Sequence, residues 1–263
     1  MIIKVVFILI VLLLYKFGAT EYITRYRDDG TKRLAMGFGH PNVFGAYLFF
    51  LCMSISYLWY KKMNIVHYLI LIICLYISHF ICNSRSAEIS ILLLCIVSIF
   101  SNFFERIVWT RKILKYLPFI MFIISMILVQ MYVHNNSLAF YIDNLLNKRI
   151  FYSAIASKNI GFTLFGSKLL NIVKFGLDNA YLNIYYQYGI FAAIILFYCV
   201  YKIIVNAQKC NNLQLIMCIF VFLIYAMMEK FSFHIEYNVF LLSISSIIFL
   251  ELKNNDERNE LNE

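Results

Sequence analysis

The chain has 263 residues, of which 62% are hydrophobic and 14% are charged, and its formal net charge is +9. Soluble domains are typically about 45–50% apolar and about 25% charged, so this composition excludes a water-soluble globule and a disordered chain. A multi-pass protein of the lipid bilayer remains. Because the basic residues lie in loops between apolar runs, lipid phosphates are favoured as partners and no nucleic acid is expected.

Eight apolar windows are long enough, or nearly so, to cross a bilayer as helices, for which about 20 residues are needed. They cover residues 2–18, 42–60, 65–82, 87–104, 115–133, 181–204, 213–229 and 236–251. A helix satisfies its own backbone hydrogen bonds in lipid, so the sequence predicts an all-α, polytopic membrane bundle of about eight transmembrane helices. The first window could instead be a signal peptide, since small residues follow its apolar core at Gly18 and Ala19.

The distribution of Lys and Arg predicts the orientation of the chain. The short loops after the second, fourth and sixth windows carry eight of these residues, whereas those after the third and seventh carry two. Short loops rich in Lys and Arg stay in the cytoplasm. We therefore expect a transmembrane domain over residues 1–252 with both termini cytoplasmic, and a polar cytoplasmic tail at residues 253–263.

Two long loops are then expected on the outer side, at residues 19–40 and 134–180. In the second loop, apolar residues recur with helical spacing at Leu138, Ile142, Leu145 and Leu146. This pattern predicts an amphipathic helix that lies in the outer membrane interface.

The placement of charge favours chemistry at the outer face over transport through the centre. The interiors of the predicted spans are nearly free of ionisable residues, which transporters usually carry near the midplane. The chain also has no phosphate-binding loop, zinc helix or nucleophile elbow, and its histidines lack zinc-ligand spacing. We therefore expect no metal or other cofactor, and a substrate that carries its own leaving group, as a lipid diphosphate does.

The first of three polar clusters covers residues 33–42, with the sequence RLAMGFGHPN. Gly37 and Gly39 allow the backbone to approach a ligand, and Pro41 suits the first turn of a helix. Arg33 could bind an anion near that helix N-terminus. Alternatively, the loop only caps a span and Arg33 contacts lipid headgroups.

The second cluster is Asn-Ser-Arg-Ser-Ala-Glu at residues 83–88. Ser84 or Ser86 can cap the helix that follows, and Glu88 suits its first turn. Arg85 would then lie at the outer interface. It could bind an anionic substrate, pair with Glu88 or contact headgroups.

The third cluster extends from the second outer loop into the sixth predicted span. Arg149 follows the amphipathic segment, Asp178 and Asn179 precede the span, and Gly189 lies within it. Asp178 could be a helix cap, which the helix dipole would stabilise, or a general base beside the arginines.

These clusters, in this order and topology, resemble the bacterial O-antigen and capsule polymerase and O-antigen ligase superfamily. The matching pieces are Gly-Phe-Gly-His-Pro-Asn at 37–42, Ser-Arg at 84–85, Arg149, Phe-Gly at 165–166, and Asp-Asn at 178–179 with Gly189. The ligases have His-Asn, nine residues and Gly as the last motif. Asp178 stands in place of that His, as in many Gram-positive polysaccharide polymerases.

The resemblance, which covers most of residues 33–200, implies a glycosyltransferase of the C-type membrane fold. It would be a repeat-unit polymerase in the cytoplasmic membrane of a bacterium, acting in capsule, exopolysaccharide or O-antigen biosynthesis. Its substrate would be an undecaprenyl-diphosphate-linked oligosaccharide. Flippase and chain-length regulator proteins are further candidate partners.

Each cluster then has a candidate role. Asp178 would remove the acceptor proton or orient the acceptor, and Arg149 would stabilise the leaving group, so these two are the candidate catalytic residues. The candidate diphosphate-binding residues are Arg33, Arg85 and Arg149, because a guanidinium grips phosphate oxygens in two places. Further candidates for substrate binding are His40, Asn42 and Asn179. The aromatic residues that could stack on sugars are Phe162, Phe165, Tyr181 and Tyr185.

Three other functions stay open. An O-antigen-ligase-type transferase would move a finished glycan to another acceptor. A flippase would move the lipid-linked saccharide across the membrane, although the lack of central charges argues against it. An inactive, truncated remnant would only bind, and family members usually have ten or more spans, whereas about eight are expected here.

Overall fold

The computed structural model describes residues 30–59, 62–100, 112–146, 148–168 and 177–233, with isolated positions at 8, 10, 11, 13, 14, 16, 17, 24–26 and 103. The expected tail at 253–263 and the predicted span at 236–251 lie outside the described residues, and most of the span at 2–18 does too. The seven cysteines are all free thiols.

The described residues are mostly helical. Two short strands, β1 (Thr24–Tyr26) and β2 (Lys32–Leu34), pair antiparallel with Arg25 opposite Arg33. The helices are α1 (Pro41–Leu58), α2 (Ile65–Ile77), α3 (Arg85–Ile99), α4 (Leu117–Val133), α5 (Ser137–Leu145), α6 (Arg149–Ile160), α7 (Ala180–Lys209) and α8 (Leu213–Ala226). A π-helical turn at Ser78–Cys82 continues α2, and a 3₁₀ turn at Lys230–Phe233 follows α8.

Six predicted spans fall largely in the described residues, and each coincides with one apolar helix or a helix and its extension. The helical class is therefore confirmed, but the count of eight spans is not. In the described part of the chain, α1, α2 with its π-helical turn, and α7 are long and apolar enough to cross a membrane. Helices α4 and α5 form a pair bent by 116°, which would be a fourth span if it is one broken segment.

Two helices fall short of the usual spanning length. Helix α3 has 15 residues and α8 has 14, whereas a bilayer requires about 20. By length and composition, neither helix qualifies as a candidate span. Among the described residues, the structure therefore provides three to four candidate spans.

Helix α1 lies at the centre of the bundle and packs against α2, α3 and α8. Its aromatic residues fill this core, with the ring of Phe49 at 4.3 Å from that of Tyr225 in α8. Gly45 allows α1 to approach the turn before α3, because a Cβ at Gly45 would lie 2.7 Å from Ser84 Oγ. The close contact positions the second polar cluster beside the start of α1.

Helices α4 and α7 run antiparallel. The rings of Tyr116 and Tyr201 lie 5.7 Å apart at one end of the pair, and Asn179 donates to Ser125 Oγ at 2.9 Å towards the other. Hydrogen bonds also join Asn42 at the start of α1 and Ser86 at the start of α3 to Glu229, just beyond the end of α8. As a result, the starts of α1, α3 and α7 lie at the same end of the bundle as the end of α8.

Helix α7 is broken at Gly189, which has φ +89° and ψ 174°. The loop after α6 occupies the break: Ser167 N donates to Tyr186 O at 2.9 Å, and Ile190 N donates to Thr163 O at 3.1 Å. These bonds satisfy backbone groups that the broken helix leaves open, which a membrane-embedded segment requires. The loop and the broken helix can approach this closely only because residues 166 and 189 are glycines. A Cβ on either would lie 2.2 Å from a carbonyl oxygen of the other segment.

The expected amphipathic segment forms α5. Its Ala139 and Asp143 are buried, while Leu138 and Leu145 are more than half exposed. An exposed apolar face on a short helix that bends sharply away from α4 is compatible with an interfacial position. The membrane depth of α5 stays a prediction.

Candidate functional site

Five segments of the chain meet at one end of the bundle around the side chain of Glu229, which lies beyond the end of α8. Asn42 and Ser86 come from the second positions of α1 and α3, and Arg149 is the first residue of α6. Asp178 lies just before α7. Polar side chains from helix starts are thereby concentrated at one place, where the backbone N–H groups of four helices favour negative charge.

Arg149 lies between two carboxylates. Its Nη2 donates to Glu229 Oε1 at 3.0 Å, and its Nε lies 3.2 Å from Asp178 Oδ2. Its Nη1 donates to the carbonyl oxygen of Met228. The side chain of Asp178 is 37% exposed and that of Glu229 is fully buried, so Arg149 bridges a solvent-accessible carboxylate and a buried one.

The direction of Arg149 is set by a cap at the start of α6. The buried Asp143 in α5 accepts hydrogen bonds at Oδ1 from the backbone N–H groups of Ile150, at 2.7 Å, and Phe151, at 3.1 Å. A carboxylate at this place satisfies open helix donors and is stabilised by the helix dipole. Lys148 precedes the helix in the left-handed conformation, with φ +62°. The two short helices α5 and α6 therefore hold the start of α6, and with it Arg149, in place.

Glu229 accepts three hydrogen bonds at one oxygen. Ser86 Oγ donates to Oε1 at 2.5 Å, and Asn42 Nδ2 and Arg149 Nη2 each donate at 3.0 Å. The other oxygen, Oε2, is buried without a hydrogen-bond partner in the described part of the chain. Burial raises the pKa of Glu229 to about 7, while the Arg149 guanidinium acts in the opposite direction and the Asp178 carboxylate adds to the rise.

Asn42 connects Arg33 to this network. Its Oδ1 accepts from Arg33 Nη2, and its Nδ2 donates to Glu229. Arg33 Nε also donates to the carbonyl oxygen of Cys82, at 3.2 Å, in the π-helical turn. Arg33 belongs to β2, and the sequence pattern did not predict this strand. The pairing of β1 with β2 places Arg33 at the end of the bundle where Glu229 lies.

His40 and Asn179 are both helix caps. The Nδ1 atom of His40 accepts from the backbone N–H of Asn42 at the start of α1, at 3.1 Å. The Oδ1 atom of Asn179 accepts from Leu182 N at 3.1 Å. Asn179 and not Asp178 therefore caps α7, so the capping interpretation of Asp178 is wrong in this structure.

Arg85 lies exposed at the first position of α3, and no hydrogen bond or ion pair joins it to the network in the described residues. The next residue, Ser86, contacts Glu229 instead. The alternative in which Arg85 pairs with Glu88 is not seen, because Glu88 contacts His79 instead, with Nδ1 and Oε1 3.0 Å apart. Arg85 therefore stays a candidate for binding at the rim.

A cavity of about 230 Å³ lies beside Arg149 and Asn179, between α4, α6, α7 and α8. Apart from these two residues and two serines, its lining is apolar. Such a cavity can accept an apolar group beside the Arg149 guanidinium.

The four aromatic candidates separate into two pairs. Phe162 and Phe165 are 72% and 82% exposed, so their faces are available to a sugar or to lipid. Tyr181 and Tyr185 are buried, and the hydroxyl of Tyr181 donates to Leu223 O at 2.9 Å. A stacking role for the two tyrosines does not fit this packing.

Sequence patterns did not single out Glu229 or Ser86 as site residues. Glu229 follows an apolar run and precedes Lys230, which is typical of a solvated helix end. One feature of the sequence could have identified Glu229: it lies at the predicted outer end of a span, the same end as the three polar clusters.

The chain was compared with protein-family models, with curated proteins and with solved structures, and no match was found in any of the three.

Proposed function

We propose that the chain is a glycosyltransferase that polymerises polysaccharide repeat units at the outer face of a bacterial cytoplasmic membrane. The observation that carries this proposal is Arg149, held between Asp178 and Glu229 at one end of an apolar helical bundle. A guanidinium fixed beside an accessible carboxylate suits a transfer in which an anionic group leaves and a hydroxyl loses its proton.

The reaction exchanges one bond to an anomeric carbon for another. A hydroxyl of the incoming lipid-linked repeat attacks the anomeric carbon of the growing chain. The bond from that carbon to the diphosphate oxygen breaks, and the lipid diphosphate leaves with the electron pair. Asp178 takes the proton of the attacking hydroxyl.

Arg149 stabilises the negative charge that develops on the leaving diphosphate. Each of its Nη atoms has a second N–H besides the one already bonded to Met228 or Glu229. Because these donors are held in place before the substrate arrives, they require little reorganisation during the reaction. Arg33 and the converging helix starts add positive potential, and Arg85 at the rim is a further candidate contact.

The cavity of about 230 Å³ beside Arg149 suits the lipid end of this substrate. Its apolar lining would contact the first prenyl units while Arg149 contacts the diphosphate. The exposed rings of Phe162 and Phe165 offer faces for the sugars.

The finer topology belongs to the same proposal. Eight spans with both termini in the cytoplasm would place the Glu229 end of the bundle outside, where lipid-linked repeats arrive after a flippase has moved them. The substrate would be linked to undecaprenyl diphosphate, and no cofactor is required, since the diphosphate is its own leaving group.

Deletion of the gene, followed by sizing of the envelope polysaccharide and of the lipid-linked intermediates, tests this function. Loss of a polymerase leaves single repeats on the lipid, and the wild-type gene should restore long chains. Long chains that accumulate on the lipid would instead identify a ligase-type transferase. Repeats retained at the cytoplasmic face would identify a flippase, and unchanged polysaccharide would contradict all three.

A further inference from the structure

The polar network contains one group whose chemistry the proposed transfer leaves unused. Glu229 is fully buried and contacts neither the attacking hydroxyl nor the leaving group in that reaction scheme. It nevertheless joins three separate parts of the fold, because Asn42, Ser86 and Arg149 all donate to its Oε1. Burial of a carboxylate is unfavourable unless it is paired with a positive charge and hydrogen-bonded, which explains why these three donors converge on Glu229.

Its contacts determine where two arginines point. Arg149 is bound directly, and Arg33 is bound through the side chain of Asn42, whose two ends join Arg33 and Glu229. The amide oxygen of Asn42 therefore accepts from Arg33, and its nitrogen donates to Glu229. Removal of the acceptor at position 229 would take one hydrogen bond from Arg149 and would leave the Asn42 side chain, which contacts Arg33, without its own anchor.

The charges in this network balance before any substrate binds. Arg33 and Arg149 contribute two positive charges, and Asp178 and Glu229 contribute two negative charges when both are ionised. A diphosphate diester adds two more negative charges, for which the two carboxylates are competitors. Of these carboxylates, Asp178 is partly exposed to solvent and Glu229 is fully buried. Because burial disfavours the charged form, protonation costs less free energy at Glu229 than at Asp178.

Resting on the proposed function, we infer that Glu229 is a positioning residue for the arginines that hold the diphosphate, and that the site takes up one proton at Glu229 when the diphosphate binds. The proton comes from bulk water and adds to the carboxylate, most simply at the unpartnered Oε2. The Oε1 atom keeps its three donors, so the arginines stay in place while one competing negative charge is removed.

The charged and titratable groups that face Glu229 agree with a transition near neutral pH. They come from α6, the segment before α7, α8 and, through Asn42, β2: Arg149, Asp178, Tyr225 and Arg33. Burial raises the pKa of Glu229 to about 7, so this carboxyl can gain a proton near neutral pH. Binding of an anion shifts this population further towards the protonated form.

Isothermal titration calorimetry of the purified, full-length protein tests the inference. The probe is citronellyl-diphosphate-linked N-acetylglucosamine, a diphosphate diester whose phosphates do not titrate near neutral pH. Measurement in two buffers of different ionisation enthalpy gives the number of protons taken up. The variants are Glu229→Gln, which keeps an acceptor oxygen without the charge, and Glu229→Ala, which removes the acceptor. The matched control is Glu88→Gln, a carboxylate of α3 outside the network.

For the wild type and Glu88→Gln, we expect uptake of up to one proton and an affinity that falls by up to tenfold per pH unit above pH 7. Glu229→Gln should bind without proton uptake and with an affinity that does not change between pH 6 and about pH 8. Glu229→Ala should bind weakly at every pH.

Three results would overturn the inference. If Glu229→Gln takes up as many protons as the wild type, or if the wild type binds the probe without proton exchange, Glu229 has no part in the linkage and the proposed transferase still stands. If the wild type does not bind the probe at any pH, the proposed function fails and this inference fails with it. Gel filtration and thermal melting of Glu229→Gln in detergent confirm that a folded protein is compared.

Discussion

Arg149 Nη2 donates to Glu229 Oε1 across 3.0 Å, although the two residues are 80 positions apart in the chain. One lies at the start of a short loop helix and the other just beyond a buried apolar helix. The contact therefore fixes the segment between α4 and α7 to the bundle. Because Asp178 contacts the same guanidinium, a single side chain links the loop, the start of α7 and the end of α8.

Substitution of Arg149 by Lys tests whether the forked guanidinium is required. A Lys ammonium keeps the charge but cannot reach Met228 O, Glu229 and Asp178 from three separate nitrogens. We expect a folded, inserted protein whose rate of polymerisation falls by about 10²–10³-fold, as when one preorganised donor is lost. The measurement is polymer formed from purified lipid-linked repeats, with Arg106→Lys in a predicted cytoplasmic loop as the control. Normal chain length at normal expression would exclude Arg149 from the site.

Glu229 should make the stability of the protein depend on pH. Its pKa is raised to about 7 in the folded protein, whereas an unfolded Glu titrates near 4.5, so folding favours the protonated form. This contribution is fully present below pH 4.5 and is lost as the pH rises through 7. The loss should approach about 3 kcal/mol, since each pKa unit corresponds to about 1.4 kcal/mol. Melting temperatures in detergent from pH 5 to about pH 8 should fall for the wild type and stay nearly level for Glu229→Gln.

The positions of the helices could be predicted because long apolar runs permit few alternatives. The run predicted at 65–82 coincides with α2 and its π-helical turn, and the run predicted at 181–204 is helix 180–209 in the structure. The number of crossings could not be predicted equally well. Hydropathy does not reveal that α3 and α8 are short, or that α4 bends by 116° into α5.

The candidate site was predictable only in part. Arg149 stands out in the sequence as a basic residue after the amphipathic segment and Asp178 as an acidic residue before a predicted span, and the fold brings them together. Glu229 has the same local pattern as any acidic residue after an apolar helix. Its burial results from contacts with Asn42 and Ser86, which lie 187 and 143 positions away, and no local periodicity encodes such contacts.

Ala substitutions at three glycines should separate packing from ligand approach. Gly166→Ala and Gly189→Ala each place a Cβ 2.2 Å from a carbonyl oxygen at a residue with positive φ, so both should destabilise the break in α7. Gly39→Ala is the matched control, because nothing lies within 4 Å of its Cβ position. We expect a lower melting temperature and lower yield for the first two variants and no change for Gly39→Ala. A Gly39→Ala protein that is stable but slow would indicate that a ligand approaches this backbone.

The orientation of the bundle can be tested with two matched cysteine variants. Asn135 and Asn211 are both exposed asparagines with positive φ, of 57° and 52°, just beyond the ends of α4 and α7. These helices run antiparallel, so the two positions lie at opposite ends of the bundle. In a cysteine-free background, Asn135→Cys should react with a membrane-impermeant maleimide in intact cells. Asn211→Cys should react only after permeabilisation, and the reverse pattern would refute the predicted topology.

Asp178→Asn is the sharpest test of the proposed chemistry, because the structure removes the simplest alternative. Asn179 caps α7, so the change at position 178 leaves the cap intact. The ion pair with Arg149 is lost, but a pair whose carboxylate is 37% exposed typically contributes only about 0–1 kcal/mol. Melting temperature, expression and membrane insertion should therefore stay close to those of the wild type.

Activity should respond very differently. An amide cannot accept the proton of the attacking hydroxyl, and a positioned base typically contributes about 10²–10⁴-fold in rate. We expect polymerisation by Asp178→Asn to fall by this factor in a reaction with purified lipid-linked repeats, without nucleotide sugar or added metal. Asp178→His should retain part of the activity, since an imidazole with an ordinary pKa of about 6.5 can act as a base near neutral pH. Asp28→Asn, in the loop predicted at residues 19–40, is the control. Near-normal polymer from Asp178→Asn would leave Asp178 as a partner of Arg149 only and assign the proton transfer to another group.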